Sequence, residues 1–354
     1  MGNAPTLTDD AVLQEDLEGI AADESVAWEA LRGKTMLVTG STGLIGGVLV
    51  RALAMANALR WLGVRILAGC RSREKAAALF HQAAEHGVEV AEWDVRTPAP
   101  FDCGIDFIVH AAAETTSRAM VEKPVETILT AVDGTRNALE LARRKNAAAV
   151  YLSSMEVYGS PAGEEVLDEH SFGLVDQLAL RASYPESKRL CEALCVAAAN
   201  EWNLDVKIAR LVQTVGAGVL SSDTRVLAEF ARSVVAGRDI VLRTDGSSAR
   251  CYCYTADAAT GILAVLLKGT SGEAYNVGND TTYASIRDVA ELMVKLTPET
   301  RAHVVRADLS GAVANCYAPS ARLRVSSAKV RALGWEAKTD LPGILSRLIR
   351  SVRT

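Results

Sequence analysis

The chain contains the stretch Thr35-Met-Leu-Val-Thr-Gly-Ser-Thr-Gly-Leu-Ile-Gly46, which predicts a strand, a glycine turn and a helix in immediate succession. Gly40 would permit the tight turn, Gly43 would let a ligand approach the backbone, and Gly46 would let the helix pack on the strand. The first N–H groups of such a helix are free to bind an anion. The stretch therefore predicts a site for the pyrophosphate of a dinucleotide. Its candidate contacts are Gly40, Thr42, Gly43, Leu44, Ile45 and Gly46.

On either side of this stretch, apolar and β-branched runs alternate with helical segments. Such alternation is typical of a parallel sheet that helices cover on both faces. The sequence therefore predicts an α/β fold, a Rossmann doubly wound parallel sheet with a smaller, interleaved C-terminal α/β lobe. Strands are expected at 35–39, 64–68, 88–93, 107–112, 148–153, 206–212 and 274–277. Helices are expected at 44–59, 74–86, 120–145, 184–202, 226–236 and 257–267.

The regular alternation loosens after Val212, where glycine and serine become frequent. We expect an N-terminal helical extension that lies on the main body or at a subunit contact, a dinucleotide-binding domain, and a second lobe that binds the other substrate. The extension is assigned to 1–33, the dinucleotide-binding domain to 34–212 with about 251–278, and the second lobe to 213–250 and 279–354.

Arginines follow the second predicted strand, in the sequence Gly69-Cys-Arg-Ser-Arg73. An Asp or Glu at this place would accept a hydrogen bond from the ribose 2′-hydroxyl of NAD, whereas Arg71 suits the 2′-phosphate of NADP. We therefore favour NADP over NAD. Asp94 ends the third strand, where it is placed to contact the adenine. Further candidate contacts at the ends of strands, where doubly wound sheets bind ligands, are Val95, Ala111, Ala112 and Ala113.

A second informative stretch is Tyr184-Pro-Glu-Ser-Lys188, in which a tyrosine and a lysine are one helical turn apart. Upstream, Ser153-Ser-Met-Glu-Val-Tyr-Gly159 follows an apolar run and would end a strand. A free phenol has a pKa of about 10, so it needs a nearby positive charge to ionise near neutral pH. A phenol, an ammonium and a hydroxyl in reach of one another predict proton transfer at a carbinol.

Composition excludes other classes of function. The formal net charge is −5 over 354 residues, with no long basic run, which argues against a nucleic-acid partner. No apolar run reaches about 18 residues and the N-terminus has no basic-then-apolar signal, so a cytoplasmic protein without a membrane anchor is expected. The seven cysteines have no paired metal-ligand spacing, and no metal site is expected.

Four motifs occur in order: Thr39-Gly-x-x-Gly-x-x-Gly46, His110-Ala-Ala-Ala113, Ser153-Ser-x-x-Val-Tyr-Gly159 and Tyr184-x-x-x-Lys188. Together they resemble those of the extended short-chain dehydrogenase/reductases, in the NAD(P)-dependent nucleotide-sugar epimerase/dehydratase group, over about 34–340. The resemblance implies an enzyme that removes a hydride from the sugar C4 transiently and then dehydrates or epimerises the sugar. It also implies a homodimer formed through the helices near 120–145 and 185–202.

The resemblance also implies individual roles. Tyr184 would be the general base, Lys188 would hold the nicotinamide ribose and favour the phenolate, and Ser154 would hydrogen-bond the reacting oxygen. Glu156 completes the expected catalytic set. The residues expected to contact the nucleotide-diphosphate sugar are Glu114, Ser154, Met155, Glu156, Gln213, Arg225 and Arg250.

The residues after Ser154 should decide which reaction the oxidised sugar then undergoes. Dehydratases of this group typically carry Thr-Asp-Glu here, decarboxylases and some dehydratases carry Thr-Ser-Glu, and simple 4-epimerases usually lack the Glu. Glu156 therefore argues for chemistry beyond epimerisation. The thioether of Met155 cannot donate a proton, which argues against the commonest dehydratase mechanism. A UDP-uronic acid decarboxylase is the alternative enzyme, and a non-catalytic NADP-binding sensor or scaffold is the alternative of another class.

Overall fold

A computed structural model describes residues 4–163, 166–307 and 321–353. The strands are β1 (Thr35–Thr39), β2 (Arg65–Cys70), β3 (Val88–Glu92), β4 (Phe107–His110), β5 (Ala148–Ser154), β6 (Val166–Leu167), β7 (Val206–Leu211), β8 (Gln213–Val215), β9 (Ile240–Leu242), β10 (Ala249–Tyr254), β11 (Ala274–Val277), β12 (Asn279–Ser285), β13 (Val304–Arg306) and β14 (Arg322–Val325). The helices are α1 (Ala11–Ala22), α2 (Leu44–Arg60), α3 (Arg73–Phe80), α4 (Ser117–Glu122), α5 (Pro124–Lys145), α6 (Ser183–Glu201), α7 (Val226–Val235), α8 (Thr255–Lys268), α9 (Ile286–Lys295), α10 (Ala328–Arg331) and α11 (Leu341–Arg353).

The large sheet has the strand order β11-β7-β5-β4-β1-β2-β3 among the described residues, and all its pairings are parallel. The order reverses between β1 and β4, so a crevice forms at the carboxyl ends of these two strands. Thr39 pairs with His110 at this edge. The predicted doubly wound α/β fold is confirmed.

Each face of the large sheet is buried, as the continuous apolar strands predict. In β1, Met36 and Val38 pack into one hydrophobic cluster, whereas Leu37 packs into the cluster on the other face. The first cluster includes side chains of α1, α2 and α8, and the second includes side chains of α5 and α6. The two clusters hold the sheet rigidly between helices, which fixes the strand ends that face the crevice.

The N-terminal extension lies on the main body, as one of the two expectations for it stated. Asp10 caps α1 by accepting hydrogen bonds from the N–H groups of Val12 and Leu13, and Leu13 and Leu17 are buried in the cluster that includes α2. Asp16, on the same helix, bonds to Tyr254 of β10 and Arg347 of α11. The extension therefore joins α2, which follows the glycine turn, to the C-terminal helix α11.

A smaller sheet has the order β12-β10-β14-β6, with β8 also paired to β10, and β9 and β13 form a separate pair. The chain re-enters the large sheet at β11, beside β7, as predicted. Because β6 and β10 lie in the small sheet, the two lobes are interleaved. The residue boundaries that we assign to the lobes remain a proposal.

Two predicted helices differ from those in the structure. The single helix expected at 120–145 is broken into α4 and α5 at Lys123, which has φ −136° and ψ 55°. The break arises because the residue before a proline disfavours helical backbone, while Pro124 itself suits the first turn of α5. The helix expected at 74–86 ends at Phe80 and continues as a 3-10 helix to His86.

The six described cysteines are free, and Cys316 lies outside the described residues. Within the described ranges, no group of three or more metal-ligating side chains is placed to hold a metal ion. None of the described helices has the length and apolar character needed to cross a membrane.

Candidate active site

The turn between β1 and α2 fits the pyrophosphate of a dinucleotide. Gly40 has φ +64°, and a Cβ there would lie 2.8 Å from the Ala111 carbonyl oxygen. A Cβ on Gly46 would lie 2.3 Å from the Gly40 carbonyl oxygen. Gly43 precedes α2 without a side-chain cap, so the first N–H groups of the helix remain available to an anion. Close backbone contacts therefore require glycine at positions 40 and 46, and the start of α2 has N–H groups that could donate hydrogen bonds to a bound anion.

A threonine joins this turn to β4. The Thr39 Oγ1 accepts hydrogen bonds from the N–H groups of Ala111 at 3.1 Å and Ala112 at 3.2 Å. Its own hydroxyl hydrogen is then best placed to reach His110 Nδ1, 2.9 Å away. Burial, with a contribution from the charge on Lys188, lowers the pKa of His110 to about 3. His110 is therefore neutral and fixes the carboxyl end of β4 against the glycine turn.

Several arginines lie at the edge of the crevice where adenosine is predicted to bind. Ser72 caps α3, and Arg73 Nε lies 3.7 Å from the Glu92 carboxylate. Asp94 forms an ion pair with Arg96 at 2.6 Å, and this hydrogen bond, assisted by the charge on Arg71, lowers the pKa of Asp94. Arg96 was not singled out in the sequence. Arg71 thus lies close to the carboxylate that was expected to contact adenine.

The other predicted cofactor contacts lie near the same edge. The Val95 side chain lies close to Gly134: a Cβ on Gly134 would be 2.9 Å from Val95 Cγ2. The Val95 carbonyl oxygen accepts a 2.7 Å hydrogen bond from Asn137. Ala113 follows Ala111 and Ala112 beyond the end of β4. These contacts anchor α5 to the strand ends.

The tyrosine and lysine lie on the first two turns of α6, as their spacing predicts. Tyr184 is 8% exposed and Lys188 is 4% exposed. The Lys188 Nζ donates to the Leu152 carbonyl oxygen at 2.7 Å and lies 5.7 Å from the centroid of the Tyr184 ring. Ser154 ends β5, and its Oγ accepts a 3.2 Å hydrogen bond from the Glu156 N–H. The phenol, the ammonium and the serine are therefore brought together.

The electrostatics of this cluster favour a protonated phenol before a ligand binds. Burial, and then the charge on Glu156, raise the pKa of Tyr184, whereas a hydrogen bond with Ser154 and the charges on Arg181 and Arg225 lower it. Burial lowers the pKa of Lys188 to about 8. An additional positive charge at the site would help Tyr184 to ionise near neutral pH.

An ion pair that the sequence did not indicate lies beside the phenol. The Glu156 carboxylate accepts hydrogen bonds from Arg181 Nη1 at 2.8 Å and Nη2 at 3.0 Å. The side chains are 25% and 16% exposed, respectively. Met155, between Ser154 and Glu156, is 4% exposed. Glu156 is therefore held in an ion pair with Arg181. The residue between it and Ser154 in the chain is Met155, whose thioether is buried.

Four of the predicted substrate contacts lie outside the segment 154–156. Arg225 precedes α7 and pairs with Asp223, yet it is close enough to lower the pKa of Tyr184. Arg250 lies on β10, and its Nε is buried with no hydrogen-bond partner among the described residues. Gln213 pairs with Tyr252 in the register of β8 and β10. The Glu114 carboxylate accepts hydrogen bonds from the Thr116 N–H and hydroxyl at 3.1 and 2.8 Å.

The structure thus brings Ser154, Glu156 and Tyr184 into one cluster with Lys188, and Arg225 lies within electrostatic reach. Sequence reasoning missed Arg181, which lies in a 3-10 turn before α6 and meets Glu156 only through the fold. It also missed Tyr151, whose ring lies 4.7 Å from the Lys188 Nζ.

Comparison with known proteins gives a family match over most of this region. The family described as the NAD dependent epimerase/dehydratase family matches residues 36–278, which is more than half of the chain. The chain is 28% identical over 271 residues to UDP-glucuronic acid decarboxylase 1 of Danio rerio, covering 77% of this chain and 62% of the relative. It is 29% identical over 309 residues to UDP-glucuronic acid decarboxylase 6 of Arabidopsis thaliana, covering 86% and 85%. The chain therefore spans less than two thirds of the Danio rerio protein.

Solved structures share the fold. An epimerase from Methanothermobacter thermautotrophicus superposes with a TM-score of 0.77 at 22% identity, over 97% of this chain and 96% of that one. A dTDP-glucose 4,6-dehydratase from Streptomyces venezuelae superposes with a TM-score of 0.75 at 24% identity, over 90% and 97%. At these identities, the likeness establishes the fold alone.

Proposed function

Because the chain belongs to the NAD-dependent epimerase/dehydratase family, we propose that it oxidises the C4 hydroxyl of a nucleoside-diphosphate sugar. The observation that carries the proposal is the cluster of Tyr184, Ser154 and Lys188 at the edge of the sheet that also carries the glycine turn. A phenol held between a hydroxyl and an ammonium can take a proton from a carbinol.

Each side chain of the cluster then has one task. Tyr184 accepts the proton of the C4 hydroxyl, and Ser154 hydrogen-bonds the same oxygen. The positive charge on Lys188 favours the phenolate form of Tyr184. When bound, NAD or NADP supplies the hydride acceptor. The glycine turn and the start of α2 would hold its pyrophosphate, and Ala111 to Ala113 would lie along the nicotinamide ribose.

Met155 and the Glu156–Arg181 pair favour decarboxylation as the second step. A 4-keto uronic acid is a β-keto acid. Its loss of carbon dioxide therefore releases no hydroxyl and needs no side chain to protonate one. Dehydration needs such a donor, and the buried Met155 cannot act as one. Glu156 is held as a carboxylate partner of Arg181. The decarboxylase relatives support the same choice.

Dehydration and epimerisation of the 4-keto sugar are the alternative second steps, since the family includes both. A non-catalytic dinucleotide-binding sensor is the alternative of another class. The presence of Ser154, Tyr184 and Lys188 in one cluster argues against the sensor, because a sensor needs no base.

The same proposal includes a homodimer in the cytoplasm. Exposed apolar side chains lie on the neighbouring helices α5 and α6, and a second copy would cover them. They are Val125, Ile128 and Leu129 on α5, and Leu190 and Val196 on α6. Free, mostly buried cysteines fit a reducing compartment. Sedimentation of the full chain measures the oligomeric state.

A substrate panel tests the activity. Purified protein with NAD or NADP is incubated with UDP-, dTDP-, GDP- and CDP-sugars, including UDP-glucuronic acid, and 4-keto products and carbon dioxide are followed. We expect carbon dioxide from the uronic acid with wild type and almost none with Tyr184→Phe. Equal behaviour of wild type and Tyr184→Phe on every sugar would overturn the proposal.

A cofactor titration tests the 2′-phosphate. Arg71→Ala should weaken the binding of NADP about tenfold and leave that of NAD unchanged, because Arg71 would contact only the 2′-phosphate. Arg65→Ala is the matched control, since Arg65 begins β2 and pairs with Glu89 instead. Equal losses for the two dinucleotides would contradict the assignment.

A further inference from the structure

Lys188 is a buried ammonium without a carboxylate partner. Among the described residues it forms no ion pair, and its Nζ donates to the Leu152 carbonyl oxygen at 2.7 Å. The Nζ lies 4.7 Å from the centroid of the Tyr151 ring and 5.7 Å from that of Tyr184. Burying an ammonium is costly unless negative charge density surrounds it. Here the direct contacts that supply such density are one carbonyl and the faces of two rings.

The Tyr151 ring is fixed and neutral. Tyr151 lies on β5, is 3% exposed and pairs with His110 of β4 in the sheet register. Burial raises the pKa of Tyr151 well above its ordinary value, so its hydroxyl stays protonated. The side chain therefore offers Lys188 the face of a neutral ring and not a phenolate.

A neutral histidine supports the ring from β4. The His110 and Tyr151 rings stack with centroids 5.9 Å apart and an angle of 29° between their planes. Because Thr39 holds His110 Nδ1 and burial keeps the imidazole uncharged, no second cation competes for the ring. A continuous column thus runs from the glycine turn through His110 and Tyr151 to Lys188.

We propose that Tyr151 is a positioning residue, whose ring face holds the Lys188 ammonium by a cation–π contact and keeps it charged beside Tyr184. The inference rests on the proposed role of Lys188 in favouring the Tyr184 phenolate. A desolvated contact of this kind is strong enough to influence a protonation equilibrium.

Other titratable groups act on Lys188 from β4 and α6. His110 faces it from β4, and Cys191, Glu192 and Cys195 act on it from α6. Burial raises the pKa of Cys195 well above its ordinary value, so its thiol is neutral. Glu192 is engaged elsewhere, since it accepts a 2.5 Å hydrogen bond from Ser153 and pairs with Arg210 at 2.7 Å. The Tyr151 ring centroid, 4.7 Å from the Lys188 Nζ, therefore lies nearer to the ammonium than the Tyr184 ring centroid at 5.7 Å, and Glu192 acts on Lys188 through space.

Fluorinated phenylalanines at position 151 test the contact at nearly constant side-chain volume, so folding is preserved. The series runs from phenylalanine through 4-fluoro and 3,5-difluoro to 3,4,5-trifluorophenylalanine, which progressively removes negative charge from the ring face. Lysines carry ¹³C at Cε, the Lys188 signal is assigned by its loss in Lys188→Arg, and its titration is followed by NMR. We expect Tyr151→Phe to titrate as wild type and the midpoint to fall stepwise, by about one pH unit in all.

The same fluorinated residues at Tyr275, whose ring lies under Lys329, are the control and should leave the Lys188 midpoint unchanged. An unchanged Lys188 midpoint across the series at position 151 would overturn the proposal, as would a large shift in Tyr151→Phe. The titration needs no substrate. It therefore separates a failure of the ring contact from a failure of the proposed sugar chemistry.

Discussion

Tyr254 and Tyr184 are both buried phenols that lie beside a carboxylate–arginine pair. The Tyr254 hydroxyl donates to the Asp16 carboxylate at 2.5 Å and accepts from Arg347 Nε at 3.1 Å, so its proton is committed to the fold. Tyr184 instead has the Ser154 hydroxyl as its partner, and the Glu156–Arg181 pair acts on it through space. Each site thus combines a tyrosine, a carboxylate and an arginine. The set stabilises the fold where the phenol is fully paired, and the phenol can perform chemistry where it is not.

Removing one hydroxyl at a time is the strongest test of this contrast. Tyr184→Phe should lower the rate of C4 oxidation about 10³-fold, because the general base is lost, and leave the free energy of unfolding almost unchanged. Tyr254→Phe should lower the free energy of unfolding by about 1–3 kcal/mol, because the buried Asp16 and the partly buried Arg347 each lose a hydrogen bond. Rate assays and urea unfolding measure the two effects.

The contrast fails if both variants lose activity to the same extent, or if Tyr184→Phe is the less stable of the two. A Tyr184→Phe variant that retains wild-type activity would remove the phenol from the mechanism. Circular dichroism of each variant confirms that the comparison is made between folded proteins.

The next effect is the pH dependence of stability that arises from Asp16, the hydrogen-bond partner of Tyr254. Burial raises the pKa of Asp16 to about 6, against 3.8 for an exposed carboxyl, despite the bonds to Tyr254 and Arg347. Between these values the folded chain binds more protons than the unfolded one, so its stability falls as the pH rises. Asp16 should therefore cost wild type about 2 kcal/mol between pH 4 and 7, because the shift is about two units and the unfolded carboxyl is already partly ionised at pH 4.

Asp16→Asn has no carboxyl to titrate at this position, so its stability should lack the fall with pH that Asp16 causes. The measurement is the free energy of unfolding of both proteins from pH 4 to 7, where other groups cancel in the difference. We expect the advantage of wild type over Asp16→Asn to shrink steadily across this range. A difference that stays constant or grows with pH would contradict the account of this cluster.

The smallest effect is expected at the pair beside the catalytic phenol. Arg181→Gln removes a positive charge that lowers the pKa of Tyr184 and leaves the Glu156 charge that raises it. The rate of C4 oxidation should fall about tenfold for each unit by which the Tyr184 pKa rises. The pH–rate profile should move to higher pH, which a merely structural effect would not produce.

Arg189→Gln is a matched control, since Arg189 is on the same helix as Tyr184 but pairs with Glu186. Its profile should keep the wild-type midpoint. If Arg181→Gln and Arg189→Gln share that midpoint, the through-space role of the pair is wrong.

Local patterns in the sequence predicted the parts of the site that are close in the chain. The glycine turn is set by three glycines within seven residues, and the Tyr184–Lys188 pair by one helical turn. The resemblance drawn from the four motifs is confirmed by the family match over 36–278. The break at Lys123 was also readable, because Pro124 stands in the sequence.

Contacts between distant residues were not predicted. Arg181 meets Glu156 across 25 residues, and Asp16 meets Tyr254 across 238, so neither pair follows from spacing. The contact of Lys188 with Tyr151 depends on how α6 packs against β5, which periodicity alone does not determine. The expected roles of Asp94, Gln213 and Arg250 stay predictions until a ligand is bound.

The most direct measurement tracks the hydrogen at the sugar C4. Nucleotide sugars deuterated at C4, with UDP-glucuronic acid first, are mixed with the protein and NAD or NADP, and mass spectrometry locates the deuterium. We expect wild type to transfer deuterium from C4 to the dinucleotide during turnover, and Tyr184→Phe to leave it on the sugar. With reactions quenched during turnover, a dinucleotide that carries no deuterium with wild type on any sugar, or as much with Tyr184→Phe as with wild type, would contradict the central claim.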